Sequence, residues 1–163
     1  MKDKKELFVL IEETMKAELL EILRSAQAAH GGATHEDAIA KSKYDTHGLE
    51  LSYLAGSQFE RARLLEKDIA AFRSFYKNLD LNQDFVDHGS LVELEKQESG
   101  VKTSRILFIS PYGAGRKVEW YGKEVLVLSP DSRLGMELID QQVGDEVTIL
   151  PNEKNYWLIK STY

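Results

Sequence analysis

The sequence predicts an α+β protein in two parts: an N-terminal antiparallel coiled-coil hairpin over residues 1–79, and a small antiparallel β domain with one short helix over residues 80–163. Two observations carry this reading. All three prolines (Pro111, Pro130, Pro151) lie in the C-terminal half, so the first 110 residues offer nothing to break a long helix. The apolar period also changes along the chain, from three-and-four spacing in front to two after Leu81.

The first helix is read from Phe8, Ile11, Met15, Leu19, Ile22, Ala26 and Ala29, a heptad seam that ends at His30-Gly31-Gly32. A second seam runs through Leu51, Ala55, Gln58, Ala62, Leu65, Ile69, Phe72 and Tyr76, with Leu54, Phe59 and Leu64 expected to widen its apolar face. Two stripes of matching length bury best against each other, in arms on the order of 40 Å long at about 1.5 Å per residue. Gln58 is the polar residue of its seam, where such a side chain fixes register or lies at the edge. The tip between the arms, 30–48, is long for a helix-to-helix link. Within it Thr34 to Asp37 has a capping-box spacing that predicts a short helix over 36–40.

Beyond Leu81, strands are expected at 91–94, 105–110, 124–128, 146–150 and 156–160, where β-branched and aromatic residues alternate with polar ones. Between the third and fourth, Ser129 or Asp131 is expected to cap a short helix with Pro130 in its first turn. Val143-Gly144-Asp145 then turns the chain back into a strand.

Composition narrows the function classes. With no cysteine there is neither a disulfide framework nor a thiolate metal site. The apolar run Leu7 to Ile11 is too short for a signal core or a membrane span, and the expectation is a cytoplasmic protein with no membrane contact. Residues 1–79 hold 12 Lys/Arg against 13 Asp/Glu and residues 80–163 hold 9 against 14, for a net charge of −6. Neither half has the basic excess by which a sequence-independent nucleic-acid binder neutralises phosphates, so a protein partner is favoured.

The C-terminal half carries a resemblance. His88-Gly89-Ser90-Leu91-Val92-Glu93-Leu94, Leu128-Ser129-Pro130, Leu134-Gly135, Leu138, Val143-Gly144-Asp145-Glu146-Val147 and Trp157-Leu158-Ile159-Lys160 together resemble the FKBP-like C-terminal domain of the GreA/GreB transcript-cleavage factors. With the hairpin in front, the resemblance covers nearly the whole chain. Lys43-Tyr44-Asp45-Thr46, Gly48-Leu49-Glu50 and Ser52-Tyr53-Leu54-Ala55 are similar to the tip of a divergent Gre-related subgroup. They depart from the standard tip, in which an aspartate stands three residues before a Glu-Asn pair: here Asp45 and Glu50 are five apart and no Glu-Asn occurs.

The resemblance implies a bacterial RNA polymerase elongation complex as partner, entered through the secondary channel, with nucleic acid met only through polymerase. It implies a monomer with no catalysis, cofactor or metal of its own. In such factors a tip acid helps to hold polymerase's magnesium, an ion that takes oxygen ligands and activates a water. The acids placed to do so are Asp45, Glu50, Glu36 and Asp37, supported by Lys43, Tyr44 and Tyr53, while Ser129, Pro130, Gly144 and Asp145 form the turns of the docking domain.

Each feature also has a plainer reading. Asp45 caps the second helix and Glu50 sits in its first turn, facing the helix dipole. His30, His35 and His47 are solvated loop residues rather than ligands. Phe108, Tyr112, Trp120 and Tyr121 are candidates to line a pocket, which raises prolyl isomerase activity, but fold does not carry function and Ser129-Pro130 with Gly144-Asp145 reads as turn chemistry. Pro111 to Arg116 has two glycines without a P-loop Lys-Ser, so a hairpin loop is the reading. Three functional readings remain: a polymerase regulator that stimulates cleavage of backtracked transcripts, a channel-occupying regulator without cleavage, and a coiled-coil protein with another partner.

Overall fold

A computed structural model describes residues 4–34, 47–79, 84–98, 101–148 and 156–162. It separates into two compact units, Glu13–Ala70 on the one hand and Met1–Glu12 with Ala71–Tyr163 on the other. None of the described helices is long and apolar enough to cross a membrane.

Two helices of 31 residues each, α1 (Lys4–Thr34) and α2 (His47–Lys77), supply the first unit. Within it Met15, Ile22, Ala26 and Ala29 of α1 and Ala55, Ala62, Leu65 and Ile69 of α2 are buried, as the heptad spacing requires. Glu18 accepts from Arg61 at 3.0 Å, and Gly32 lies against Leu51, so the helices run antiparallel. Two expectations are corrected here. The first helix does not stop at His30-Gly31-Gly32 but continues to Thr34: a Cβ on Gly32 would sit 3.1 Å from Leu51 Cδ1, so this glycine permits a close helix contact instead of ending the helix. Leu54, Phe59 and Leu64 do not widen the seam but stay 42–55% exposed, because four alanines let the helices approach along a narrow stripe.

In the second unit, β1 (Leu91–Glu98), β2 (Val101–Ile109), β3 (Lys117–Trp120), β4 (Lys123–Leu128), β5 (Glu146–Val147) and β6 (Trp157–Thr162) form one six-stranded sheet in the order β3-β4-β2-β1-β6-β5. The short helix α3 (Arg133–Leu138) lies between β4 and β5 in sequence. The α+β class and the mainly antiparallel sheet are as expected; β2 and β4 pair in parallel, because Ser110–Arg116 carries the chain across before β3 and β4 fold back as a hairpin. That crossing is tied to β4 by Ser110 N–H to Leu128 O and Gly115 N–H to Val127 O.

Alternation gives the sheet its two faces. On one, Val92, Leu94, Leu107, Ile109, Trp157 and Ile159 form a core with Val86, Leu138 and Val147. On the other, Phe108 meets Phe8 at 5.6 Å between ring centroids, and Phe8 stacks on Tyr76 at 5.2 Å and meets Phe72 edge-on at 6.5 Å. The N-terminal residues of α1 and the C-terminal residues of α2 thus belong to the core of this unit. β1 runs four residues past the expected 91–94 and β2 begins at Val101 instead of 105, since their outer halves are largely polar and show no hydrophobic alternation. β3 was not expected, and the strand expected at 146–150 is described only over Glu146–Val147.

Candidate functional site

At the start of α2, Glu50 lies in the first helical turn and is exposed. Tyr53 follows one turn later at 72% exposure, a value at which a tyrosine contributes almost nothing to a core and is available to a partner. Leu49 and Leu54 are exposed around it, and Ser52 Oγ donates to Gly48 O at 3.0 Å, which fixes the first turn. Glu36, Asp37, Lys43, Tyr44, Asp45 and His35 lie outside the described residues, as does the short helix expected over 36–40. His30 is exposed on α1. Among the described residues no group of three or more His, Asp or Glu side chains is arranged to hold a metal. A single carboxylate such as Glu50 supplies one or two oxygen ligands, so an ion site that included it would take its other ligands from elsewhere.

In the β domain, Ser129, Pro130, Gly144 and Asp145 are built into two turns that bracket α3. Ser132, not Ser129 or Asp131, caps the helix: its Oγ accepts from Gly135 N–H at 3.0 Å and donates to Ser129 O at 2.7 Å. Pro130 consequently sits in the turn before the helix, where it is buried, rather than in its first turn. Ser129 Oγ accepts from Asp131 N–H at 3.2 Å, completing a Ser-Pro-Asp-Ser turn. Gly135 closes against that turn: a Cβ there would come 2.1 Å from Ser129 O and 2.7 Å from Pro130 O. At the second turn Gly144 adopts φ 101°, a conformation that L side chains rarely take, and its N–H donates to Ile159 O at 2.9 Å. Asp145 Oδ2 accepts from Gln142 N–H at 2.7 Å, and Asp145 O accepts from Ile159 N–H at 2.9 Å. All four residues thus help to shape the two turns.

Phe108, Tyr112, Trp120 and Tyr121, considered above as candidates to line a pocket, make separate contacts. Phe108 packs on Phe8, Tyr112 meets Phe75 at 5.9 Å, and Trp120 is buried with Tyr121 edge-on to it at 5.1 Å. A network that the sequence reading missed lies at the helix ends of the same unit. Glu12, only 8% exposed, accepts from Arg73 Nε at 2.9 Å and Nη2 at 2.7 Å, and from Tyr76 Oη at 3.3 Å. Its signal was a glutamate flanking Ile11 in an otherwise apolar stripe.

What these units define is a helical-hairpin protein with a small β domain, with exposed side chains at the start of α2 and two hydrogen-bonded turns around α3. Three solved structures are similar to it along nearly its whole length. GreA factor homolog 1 (Gfh1) of Thermus thermophilus is 20% identical over 93% of this chain and 94% of its own, with a TM-score of 0.36. Gfh1 of Thermus aquaticus is 19% identical over 93% of this chain and 92% of its own, with a TM-score of 0.37. A further structure of the transcription factor Gfh1 is 21% identical over 94% of both chains, with a TM-score of 0.36. No family model and no curated protein matches the chain.

Proposed function

We propose that this chain is a Gre-like regulator of transcription elongation, a non-enzymatic factor that binds bacterial RNA polymerase at its secondary channel as a monomer. The observation that carries the reading is the block Ser129-Pro130, Leu134-Gly135, Leu138 and Gly144-Asp145: these residues resemble the Gre docking domain in sequence, Ser129, Pro130, Gly135, Gly144 and Asp145 shape the two turns around α3, and Leu134 and Leu138 pack into the domain's core. Supporting it are a coiled-coil hairpin in front of the β domain and exposed Glu50 and Tyr53 at the start of its second helix.

In this reading the tip acids Asp45, Glu50, Glu36 and Asp37 are the candidates to approach polymerase's magnesium, with Lys43, Tyr44 and Tyr53 as their support. A carboxylate brought there adds negative charge and an oxygen ligand to an ion that activates water, which favours hydrolysis of a backtracked transcript. A second reading has its own observation. The spacing of Asp45 and Glu50 departs from the standard tip, which favours a factor that occupies the channel and modulates polymerase without cleavage.

The experiment is transcript cleavage by a stalled, backtracked elongation complex of the cognate polymerase, with binding measured on the same complex. Shortened transcripts with binding establish a cleavage factor. Binding without shortening establishes the channel-occupying reading, and a failure to bind rejects the polymerase partner in favour of another partner for the coiled coil.

A further inference from the structure

Lys4 is the first residue of α1, at the point where that helix lies against the sheet. One turn further on, Leu7 is fully buried and Phe8 packs on Phe108 of β2, so the first turn carries the Lys4 side chain into contact with the β domain. The residue is half-buried, and its Nζ donates to Gly89 O at 3.3 Å. The turn that holds this carbonyl is itself fixed. Gly89, at φ 85°, donates its N–H to Ile109 O at 2.8 Å, and Ser90 Oγ accepts from Asp87 N–H at 3.0 Å.

A lysine taken out of water is ordinarily matched by a carboxylate, whereas Lys4 has a neutral carbonyl. Among the described residues no carboxylate pairs with it. Glu6 is exposed on α1, and Asp87, in the turn that carries Gly89, bonds to the backbone N–H and ring Nδ1 of His88, both at 2.7 Å. Burial without a counter-charge holds the Lys4 amine down to about 8 from 10.5. At about pH 7.5 roughly a quarter of it is then the unprotonated nucleophile, against roughly one part in a thousand for a lysine at the ordinary value.

The site also selects the product. An amide formed at Nζ keeps one N–H for Gly89 O and carries no charge, so the hydrogen bond stays while the cost of burying an ammonium is removed. An anionic product such as a carbamate would instead set negative charge beside the Gly89 carbonyl oxygen. We propose that Lys4 is a preferred acylation site for small activated acyl donors, acyl phosphates or acyl thioesters, and that its acylation stabilises the folded chain. The Nζ lone pair attacks the acyl carbon, and the bond from that carbon to the phosphate oxygen or the thioester sulfur breaks. Phosphate or thiolate leaves with the electron pair, and the nitrogen gives one proton to water. The reaction needs no partner protein and stands apart from the polymerase reading.

The test treats the full chain with acetyl phosphate and, in a second arm, with the acetyl thioester of N-acetylcysteamine, and follows each lysine by peptide mass mapping, folded and in urea. A less basic amine is a weaker nucleophile, which offsets part of the gain in neutral form. Folded Lys4 is therefore expected to acylate at least about tenfold faster than the exposed Lys67 and Lys77, with a rate that levels off above about pH 8, and to lose this lead in urea. Reaction in one arm alone assigns the donor, and reaction in neither overturns the proposal. So does the absence of a lead, or a lead that persists in urea, which would belong to the local sequence and not to the fold. The acetylated chain is expected to unfold at a higher temperature near neutral pH, and an equal or lower midpoint overturns the stabilising effect. Lys4→Arg keeps the charge without an acylable amine, so the treated variant is expected to show no such rise; a rise there would place the stabilisation at other lysines and overturn it too.

Discussion

Arg73 donates through both Nε and Nη2 to a single carboxylate oxygen of Glu12, at 2.9 and 2.7 Å, and joins the last turns of α2 to the N-terminal part of α1. The two partners are unequal: the Glu12 side chain is 11% exposed and that of Arg73 46%. Removing the arginine strips a buried carboxylate of its guanidinium, whereas removing the glutamate leaves a cation that water can solvate. Arg73→Ala is therefore expected to destabilise the protein, by less than the loss of a fully buried pair because Arg73 is half exposed. Glu12→Leu is expected to destabilise less. Urea midpoints of the two variants at neutral pH check the order, and a larger loss for Glu12→Leu would show that the carboxylate serves some role beyond the pair.

The network also shows where sequence reading reaches its limit. The seam positions Ile11, Met15, Ile22, Ala26, Ala62, Leu65 and Ile69 were legible because a heptad repeat reports burial directly. Glu12 was not, because a charge beside a seam reads as solvated until its partner, 61 residues away, is brought to it. The outer halves of β1 and β2 were hidden for a related reason. Glu95, Lys102 and Lys160 form a cross-strand charge ladder on a solvated face, where pairing leaves no hydrophobic alternation. The turns around α3 were visible in composition, but the cap was placed at Ser129 or Asp131 instead of Ser132, because all three offer the same capping chemistry and only the position of Gly135 separates them.

Gly135 is the residue on which that local framework depends. A methyl group there would overlap the carbonyl oxygens of Ser129 and Pro130, which are backbone atoms and cannot rotate away. Gly135→Ala is expected to cost about 1–3 kcal/mol, the typical range for overpacking, and to fall toward its upper end because the atoms met are backbone. Chemical denaturation measures it. An unchanged midpoint would mean that the Ser129–Ser132 turn shifts freely.

Lys4 gives the protein a pH dependence on the alkaline side. Burial holds its ammonium down to about 8 from an ordinary 10.5, while its Nζ donates to Gly89 O at 3.3 Å. Between these two values the unfolded chain binds more protons at this site than the folded one, so this group's effect on stability improves as pH rises from about 8 to 10.5. Below about 8 the desolvation penalty is fully present. Lys4→Met is expected to be the more stable protein at pH 7, with the difference shrinking across the alkaline window. Thermal unfolding of both proteins along a pH series checks this, and a constant difference would place the penalty outside Lys4 titration.

Charge at the tip separates the two polymerase readings. If a tip carboxylate completes the ion site, its charge is needed in the cleavage step but not for entering the channel, so neutralising it lowers the cleavage rate while leaving affinity unchanged. Asp45→Asn and Glu50→Gln keep shape and remove charge, and one of them is expected to reduce stimulated cleavage at least about tenfold with binding retained. Tyr53→Ala is expected to act differently. At 72% exposure Tyr53 supports no core, so its truncation leaves stability unchanged, and its effect is on binding. Cleavage stimulated by the wild-type chain but unaffected by either carboxamide would shift the role to Glu36 or Asp37, where the same substitutions repeat the test. A wild-type chain that binds, leaves transcripts uncut and suppresses elongation would make all four acids contacts in a plug, and loss of binding on their neutralisation would then be the expected signature.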